Sequence, residues 1–282
     1  MQKRIMAIND ISCYGRCAMT VALPILSAAG HECAIMPSAI LSTHLAYPNP
    51  PSYSMTKQMG EITAHLSSIN VEFDAISVGY LDNLEQIDKV IEFLNTFKSE
   101  NTFVMADPTM ADHGKMYGNP AYNGAFIEGM GKIVKRSAIT VPNITEAAFL
   151  CNIAYEKPPY TKKYVETLLN GLINLGPEMA VVTGIIFDDE QIGSACILKD
   201  SGKISYSFAK QYKGRFIGTG DIFAAALMGA LLNDIELCEA VEIATNFVSF
   251  AIEKTLKINT KDSMAINFEQ SLPEYMRLLK IL

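Results

Sequence analysis

No two of the six cysteines form a C-x-x-C pair; they stand irregularly at positions 13, 17, 33, 151, 196 and 238. The four histidines, His31, His44, His65 and His113, are scattered as well. A zinc site needs Cys and His in clusters, so none is expected. The irregular spacing also argues against a disulfide framework and predicts free thiols in a reducing compartment. Charge is sparse: 19% of residues are charged, and 23 Lys plus Arg against 30 Asp plus Glu leaves a formal net charge of −7. That balance excludes a general binder of nucleic acid or anionic membrane, but not a local cationic pocket for a phosphate. The longest apolar run lies within residues 222–232, short of the about 20 residues that cross a bilayer. The opening MQKRIMAIND turns polar within a few residues, so no secretory signal is expected. With no repeat, Ser/Gly linker or charge block, residues 1–282 are expected to form one domain.

Apolar material is plentiful: 49% of the 282 residues are hydrophobic, with a mean hydropathy of +0.17. That supports a large core and excludes disorder. Short apolar runs at 4–8, 75–78, 102–106, 138–141 and 180–183 read as strands. They lead into Asn9-Asp10, Gly79, Asp107-Pro108, Pro142-Asn143 and Gly184. Residues 18–29 read as a helix closed by Gly30. Residues 84–97 read as a helix with an apolar face through Ile87, Val90 and Leu94. Runs at 194–198 and 203–208 read as a hairpin around Asp200-Ser201-Gly202. The remainder is expected to be helical, including one stripe from Leu237 to Ile252. Alternating strands and helices predict an α/β fold with a large, mainly parallel sheet covered on both faces. Ligands bind beyond the carboxyl ends of such strands. Asp10, Gly79, Asp107, Asn143 and Gly184 are therefore expected to face one crevice.

The strongest chemical signal is Gly218-Thr219-Gly220-Asp221, which runs straight into Ile222-Phe223-Ala224-Ala225-Ala226-Leu227. Two glycines let backbone approach a ligand closely. The first-turn amides of a helix lack intrahelical partners, and with the dipole they suit a phosphoryl group. The Asp221 carboxylate would either cap this helix or meet a substrate hydroxyl; the tetrapeptide alone fits both.

The tetrapeptide and its trailing Phe and alanines resemble the C-terminal signature of the ribokinase-like superfamily. Other segments resemble pyridoxal kinases. Ala7-Ile8-Asn9-Asp10 with Cys13-Tyr14-Gly15-Arg16 is similar to their first strand and loop, and Leu41-Ser42-Thr43-His44 to their second loop. Val78-Gly79-Tyr80-Leu81, Asp107-Pro108-Thr109-Met110-Ala111-Asp112, Pro142-Asn143-Ile144-Thr145-Glu146 and Val181-Val182-Thr183-Gly184 follow in family order. The resemblance implies a three-layer α/β/α sandwich. It also implies ATP-dependent phosphorylation of the 5′-hydroxymethyl group of pyridoxal, pyridoxine or pyridoxamine by a cytoplasmic homodimer. Mg2+ is the implied cofactor, with K+ as a candidate second cation.

The same resemblance assigns roles. Asp221 would orient the hydroxyl and accept its proton late, as an ionised weak base favoured by the helix dipole. Gly218, Thr219 and Gly220 would hold the γ-phosphoryl group through backbone amides. Asp107 and Glu146 would act on Mg2+, mainly through metal-bound water. Asn143 and Thr183 would contact phosphate, with Asp112 nearby. Asp10, Thr43, His44 and Tyr80 would surround the pyridine ring, although His44 also fits a packed core histidine. Residues 112–123 read as a mobile loop from which Lys115 and Tyr117 would close over ATP. Residues 209–216, with Lys210, Tyr212, Lys213 and Arg215, precede the glycine turn and suit the adenine or phosphate edge; a solvated basic stretch fits equally.

Four positions depart from the family pattern. Asp10 stands in place of Ser, Leu45 of Thr, Ala111 of Gly and Gly184 of Ser. An anionic Asp10 would favour pyridoxamine or pyridoxine over pyridoxal. The nearest alternative activity is hydroxymethylpyrimidine kinase, whose usual Gly-Ser-Asp-Ser first loop is absent here. A non-catalytic vitamer- or nucleotide-binding protein is the alternative outside enzymes.

Overall fold

The protein is described by a computed structural model in which residues 1–44, 47–258 and 265–282 are placed. Leu45 lies outside the described residues. In chain order the elements begin with β1 (Arg4–Tyr14), α1 (Met19–Ala28), β2 (Glu32–Thr43), β3 (Ser52–Ser54), α2 (Thr56–Ser68), β4 (Ala75–Val78) and α3 (Leu84–Phe97). They continue with β5 (Phe103–Ala106), β6 (Ala111–Asp112), β7 (Lys115–Met116), α4 (Gly124–Val134), β8 (Ile139–Thr140), α5 (Ile144–Leu150) and α6 (Lys162–Leu175). The last are β9 (Met179–Ile185), β10 (Gln191–Leu198), β11 (Ile204–Lys210), α7 (Thr219–Leu231), α8 (Leu237–Ile258) and α9 (Leu272–Leu278).

One nine-stranded sheet has the order β11-β10-β9-β8-β5-β4-β1-β2-β3. The inner run from β9 to β2 is parallel. The edge strands β3, β10 and β11 pair antiparallel. Successive strand residues point to opposite faces. Ile5, Ala75 and Met105 therefore pack under α1, α7, α8 and α9. Met6, Ile76 and Val104 pack under α3 and α4 on the other side, and Ala180 and Val182 under α5 and α6. Buried on both faces, these strands carry apolar runs rather than alternation. Helix α7 is buried from Ile222 through Ala230, as a helix apolar all round must be.

Three expectations are corrected. Residues 32–43, assigned by default to helix, form β2 and pair along β1. Proline in a helix interior costs about 3 kcal/mol, and Pro37 interrupts this run. In the strand, Pro37 sits at a register shift, where Asn9 faces Pro37 and Ile11 faces Ile40, so its missing N–H is tolerated. The same irregularity explains why β1 does not end at its polar residues. Asn9 and Asp10 lie at a bulge, and the strand resumes to Tyr14. Residues 112–123 are also more ordered than a bare loop, because β6 and β7 form a small hairpin through His113 and Gly114, both at positive φ.

All six cysteines are free. Among the described residues no helix is long and apolar enough to cross a membrane.

Candidate active site

The carboxyl ends of the parallel strands meet in register. The Gly79 N–H donates to Ile8, the Asp107 N–H to Val78, the Val141 N–H to Ala106 and the Thr183 N–H to Pro142, all within 3.0 Å. Gly79, Asp107, Asn143 and Thr183 are thereby lined up along one edge of the sheet. Asn143 and Thr183 form a parallel bridge there.

Helix α7 opens onto this edge. Its N-cap is Gly218, at φ 86, and no side chain caps its first amides. A Cβ at Gly218 would run into the Arg16 carbonyl, so only glycine lets the turn dock on the loop after β1. A Cβ at Gly220 would meet nothing within 4 Å, so the turn is open in front of its amides. Asp221 is not the cap. It sits in the first turn and, with Asn9, Ser77, Gly79 and Asp107, lines a cavity of about 20 Å³. That is about the volume of one water.

Burial raises the Asp221 carboxyl to about 6, against hydrogen bonding from the Ala18 N–H and the Asn9 side chain. Loss of water outweighs the favourable helix end, so Asp221 is a stronger base than a solvated aspartate, while it stays mostly ionised at neutral pH as expected. Ala18 holds φ 50 and ψ −126, a strained conformation for a residue with a Cβ. It follows the very loop that Gly218 packs on.

Asp10 is buried, at 8% exposure. Burial first, and the Asp221 charge second, push it up to about 7, while the Ser12 hydroxyl donates to it at 3.2 Å. Asp10 therefore carries a proton part of the time near neutrality, where the sequence suggested a fixed anion. Asn9, which sequence reasoning passed over, accepts the Asp10 N–H at 3.0 Å and the Tyr80 N–H at 2.9 Å. Its one legible signal was an amide side chain in an otherwise apolar strand.

Tyr80 is buried, and its hydroxyl donates to Asp82 at 3.3 Å and accepts from Asn119 at 3.2 Å. Thr43 ends β2 half-buried. His44 is 7% exposed and lies so close over Gly15 that a Cβ there would fall 2.6 Å from its ring.

Asp107 is held well above the usual carboxylate range by burial, then by the Glu146 and Asp221 charges. Glu146 is buried at 3% exposure and raised to about 7, also chiefly by burial. One Glu146 oxygen accepts the Met110 and Ala111 N–H groups at 2.9 and 3.3 Å, and the other accepts the Asn143 N–H at 2.9 Å. The Asn143 amide donates to the Ala111 carbonyl at 2.8 Å. Tyr117 feels the charges of Glu146, Asp112, Asp107 and Asp221. Asp112 and Lys115 face each other across the β6–β7 hairpin, exposed. Tyr212 belongs to the apolar cluster under α7 and α8, with the Lys210 ammonium 5.4 Å from its ring centroid.

The Glu146 and Asp221 charges oppose ionisation of Asp107, a repulsion that a bound cation would relieve. Among the described residues no group of three metal-ligating side chains forms a cage. Mg2+ keeps its waters and takes one or two carboxylates plus phosphate oxygens, so it requires no such cage. Asp107 fits it directly; Glu146, with both oxygens engaged, fits it through water.

The sequence model of the phosphomethylpyrimidine kinase family matches residues 52–266. The chain belongs to that family. The fold is similar to a Bacteroides thetaiotaomicron protein that carries the name phosphomethylpyrimidine kinase and was crystallised with pyridoxal. It is 28% identical, with a TM-score of 0.91 over 98% of this chain and 96% of that one. A pyridoxal kinase from Lactobacillus plantarum superposes with a TM-score of 0.90 at 24% identity, over 99% of this chain and 98% of its own. In sequence, a pyridoxal kinase of Haemophilus influenzae is 25% identical over 86% of this chain and 90% of its own. The pyridoxal kinase resemblance read from the motifs and the ribokinase-like α/β/α fold are both borne out. As a member of this kinase family the chain is a phosphotransferase acting on an alcohol group.

Proposed function

We propose that the chain, acting as one domain over residues 1–282, transfers the γ-phosphoryl group of ATP to the 5′-hydroxymethyl group of a vitamin B6 vitamer. The product is the 5′-phosphate, with release of ADP. One observation carries this reading: Asp221 stands beside an uncapped, open helix N-terminus and shares its cavity with Asp107, Asn9 and Gly79. Phosphoryl transfer asks mainly for positioning and charge neutralisation. The Thr219 and Gly220 amides, with that of Gly218, would hold the transferred group. Asp221, raised to about 6, is a stronger base than a solvated aspartate yet still mostly ionised at neutral pH. It would align the hydroxyl and take its proton as the bond to phosphorus forms. Asp107, and Glu146 through water, would hold Mg2+, which supplies neutralising charge on the phosphates; a K+ requirement is a further candidate.

Asn143, Thr183, Asp112, Lys115, Tyr117 and Tyr212 would contact ATP, and Thr43, His44, Tyr80 and Asp10 the vitamer. A partly protonated Asp10 can donate to a neutral ring nitrogen or accept from an amine, which favours pyridoxamine or pyridoxine over pyridoxal. The resemblance to pyridoxal kinases supports a cytoplasmic homodimer acting on small molecules alone.

A coupled ADP-release assay tests the reading, with the three vitamers and hydroxymethylpyrimidine offered to wild type and Asp221→Asn. The variant should lose turnover by orders of magnitude while still binding ATP. Turnover of hydroxymethylpyrimidine alone would assign the chain to the alternative kinase activity. Binding without ADP release would make it a binding protein. Near-normal turnover in Asp221→Asn would remove that carboxylate from the mechanism.

A further inference from the structure

We infer that Asn9 is the positioning residue for Asp221, tying the reacting carboxylate to Asp10 on its own strand and to the Tyr80 segment that follows β4. The inference rests on the kinase reading above and adds a residue that reading does not use. Asn9 sits at the β1 bulge, and the Tyr80 N–H follows the end of the neighbouring strand β4. The Asn9 side-chain oxygen accepts the Asp10 N–H at 3.0 Å and the Tyr80 N–H at 2.9 Å. An amide has one acceptor oxygen and one NH2 group. With the oxygen committed to two donors, the NH2 end is what remains for Asp221, which lines the same cavity and is hydrogen-bonded by the Asn9 side chain. An NH2 group can only donate, and Asp221 and Asp107 are the carboxylates that line this cavity.

Gly79 is part of the same device. A Cβ on Gly79 would fall 2.6 Å from the Asn9 nitrogen and 2.8 Å from its Cγ. Gly79 has no positive φ to explain it; the space is used by Asn9. The lone glycine after β4 is thus explained by a side chain seventy residues away in sequence. One amide fixes three things together: the backbone of Asp10, the start of the Tyr80 segment, and the carboxylate at position 221. A shift of Asn9 would misalign base and vitamer against each other without emptying either site.

Asn9→Asp isolates the function of the NH2 group, because it keeps an oxygen for both backbone amides. A hydrogen bond to a charged group supports an expected loss in kcat of about 10- to 100-fold, with KM for ATP and vitamer within about threefold of wild type. Gly79→Ala, which pushes Asn9 aside, should show the same split. Unchanged kcat in Asn9→Asp, or a rise in KM alone, would overturn the inference. Should Asn9→Asp fold poorly, thermal unfolding of Asn9→Asp/Asp221→Asn decides the matter without any turnover. The double variant exchanges donor and acceptor and should melt above Asn9→Asp alone. A melting temperature at or below that of Asn9→Asp would sink the proposed link. If wild type phosphorylates none of the offered alcohols, the kinase reading fails, while the melting comparison still reports on Asn9 and Asp221.

Discussion

Asn143 and Glu146 hold each other by reciprocal hydrogen bonds. The Asn143 N–H donates to Glu146 at 2.9 Å, and the Glu146 N–H donates to the Asn143 side chain at 3.0 Å. This capping box starts α5. The other Glu146 oxygen gathers the Met110 and Ala111 amides, so one carboxylate joins a helix start to the loop that presents Asp107. Glu146→Gln should therefore destabilise the fold, since one of its terminal atoms becomes a donor facing a donor. A loss of about 1–3 kcal/mol is expected in urea unfolding followed by circular dichroism. A change below about 0.5 kcal/mol would show that the cap contributes little.

Stability should fall as pH rises. Asp10 and Glu146 are raised to about 7 and Asp221 to about 6, each mainly by burial. Between the ordinary carboxylate range near 4 and these values, the folded chain binds more protons than the unfolded one, so unfolding free energy declines with pH. The melting temperature of the protein in the absence of Mg-ATP should be higher at pH 5 than at pH 8. Asp10→Asn should flatten part of that slope. A melting temperature that increases from pH 5 to 8 would contradict the burial of these carboxyls.

Gly218 and Ala18 should respond in opposite directions to exchange of Ala and Gly. Gly218→Ala places a Cβ at φ 86 against the Arg16 carbonyl. It should cost about 2 kcal/mol or more and displace the helix start, lowering kcat as well as melting temperature. Ala18→Gly relieves about 1–3 kcal/mol of backbone strain and gives back about 0.4–1 kcal/mol in unfolded-chain entropy. It should leave turnover intact and melt at or above wild type. Calorimetry and steady-state kinetics on the two variants check both signs.

Asp10→Ser should change the order of vitamers. The variant loses a group that titrates near neutrality, so relative kcat/KM should move toward pyridoxal. An unchanged ranking of the three vitamers would show that Asp10 does not set preference.

The strand starts, the glycine turn at 218–221 and the apolar helix behind it were legible in one dimension, because each depends on local residue type: apolar runs, Gly conformations and helix periodicity. Residues 32–43 were not, since β2 carries no alternation and is defined by pairing with β1 and, at its end, with β3. Asn9 was passed over for a related reason. Its oxygen is committed to Asp10 and Tyr80, and Tyr80 becomes its neighbour only when β4 lies beside β1.

Sequence by itself determined the α/β class, the parallel strands that end at the crevice and the identity of Asp221 as the carboxylate at the α7 start. Tertiary structure decided the charge states of Asp10, Glu146 and Asp221, because desolvation is a property of the assembled interior and not of a motif. It also decided which amides face which carboxylates: those contacts join residues far apart in the chain, and the sheet alone sets the distance between them.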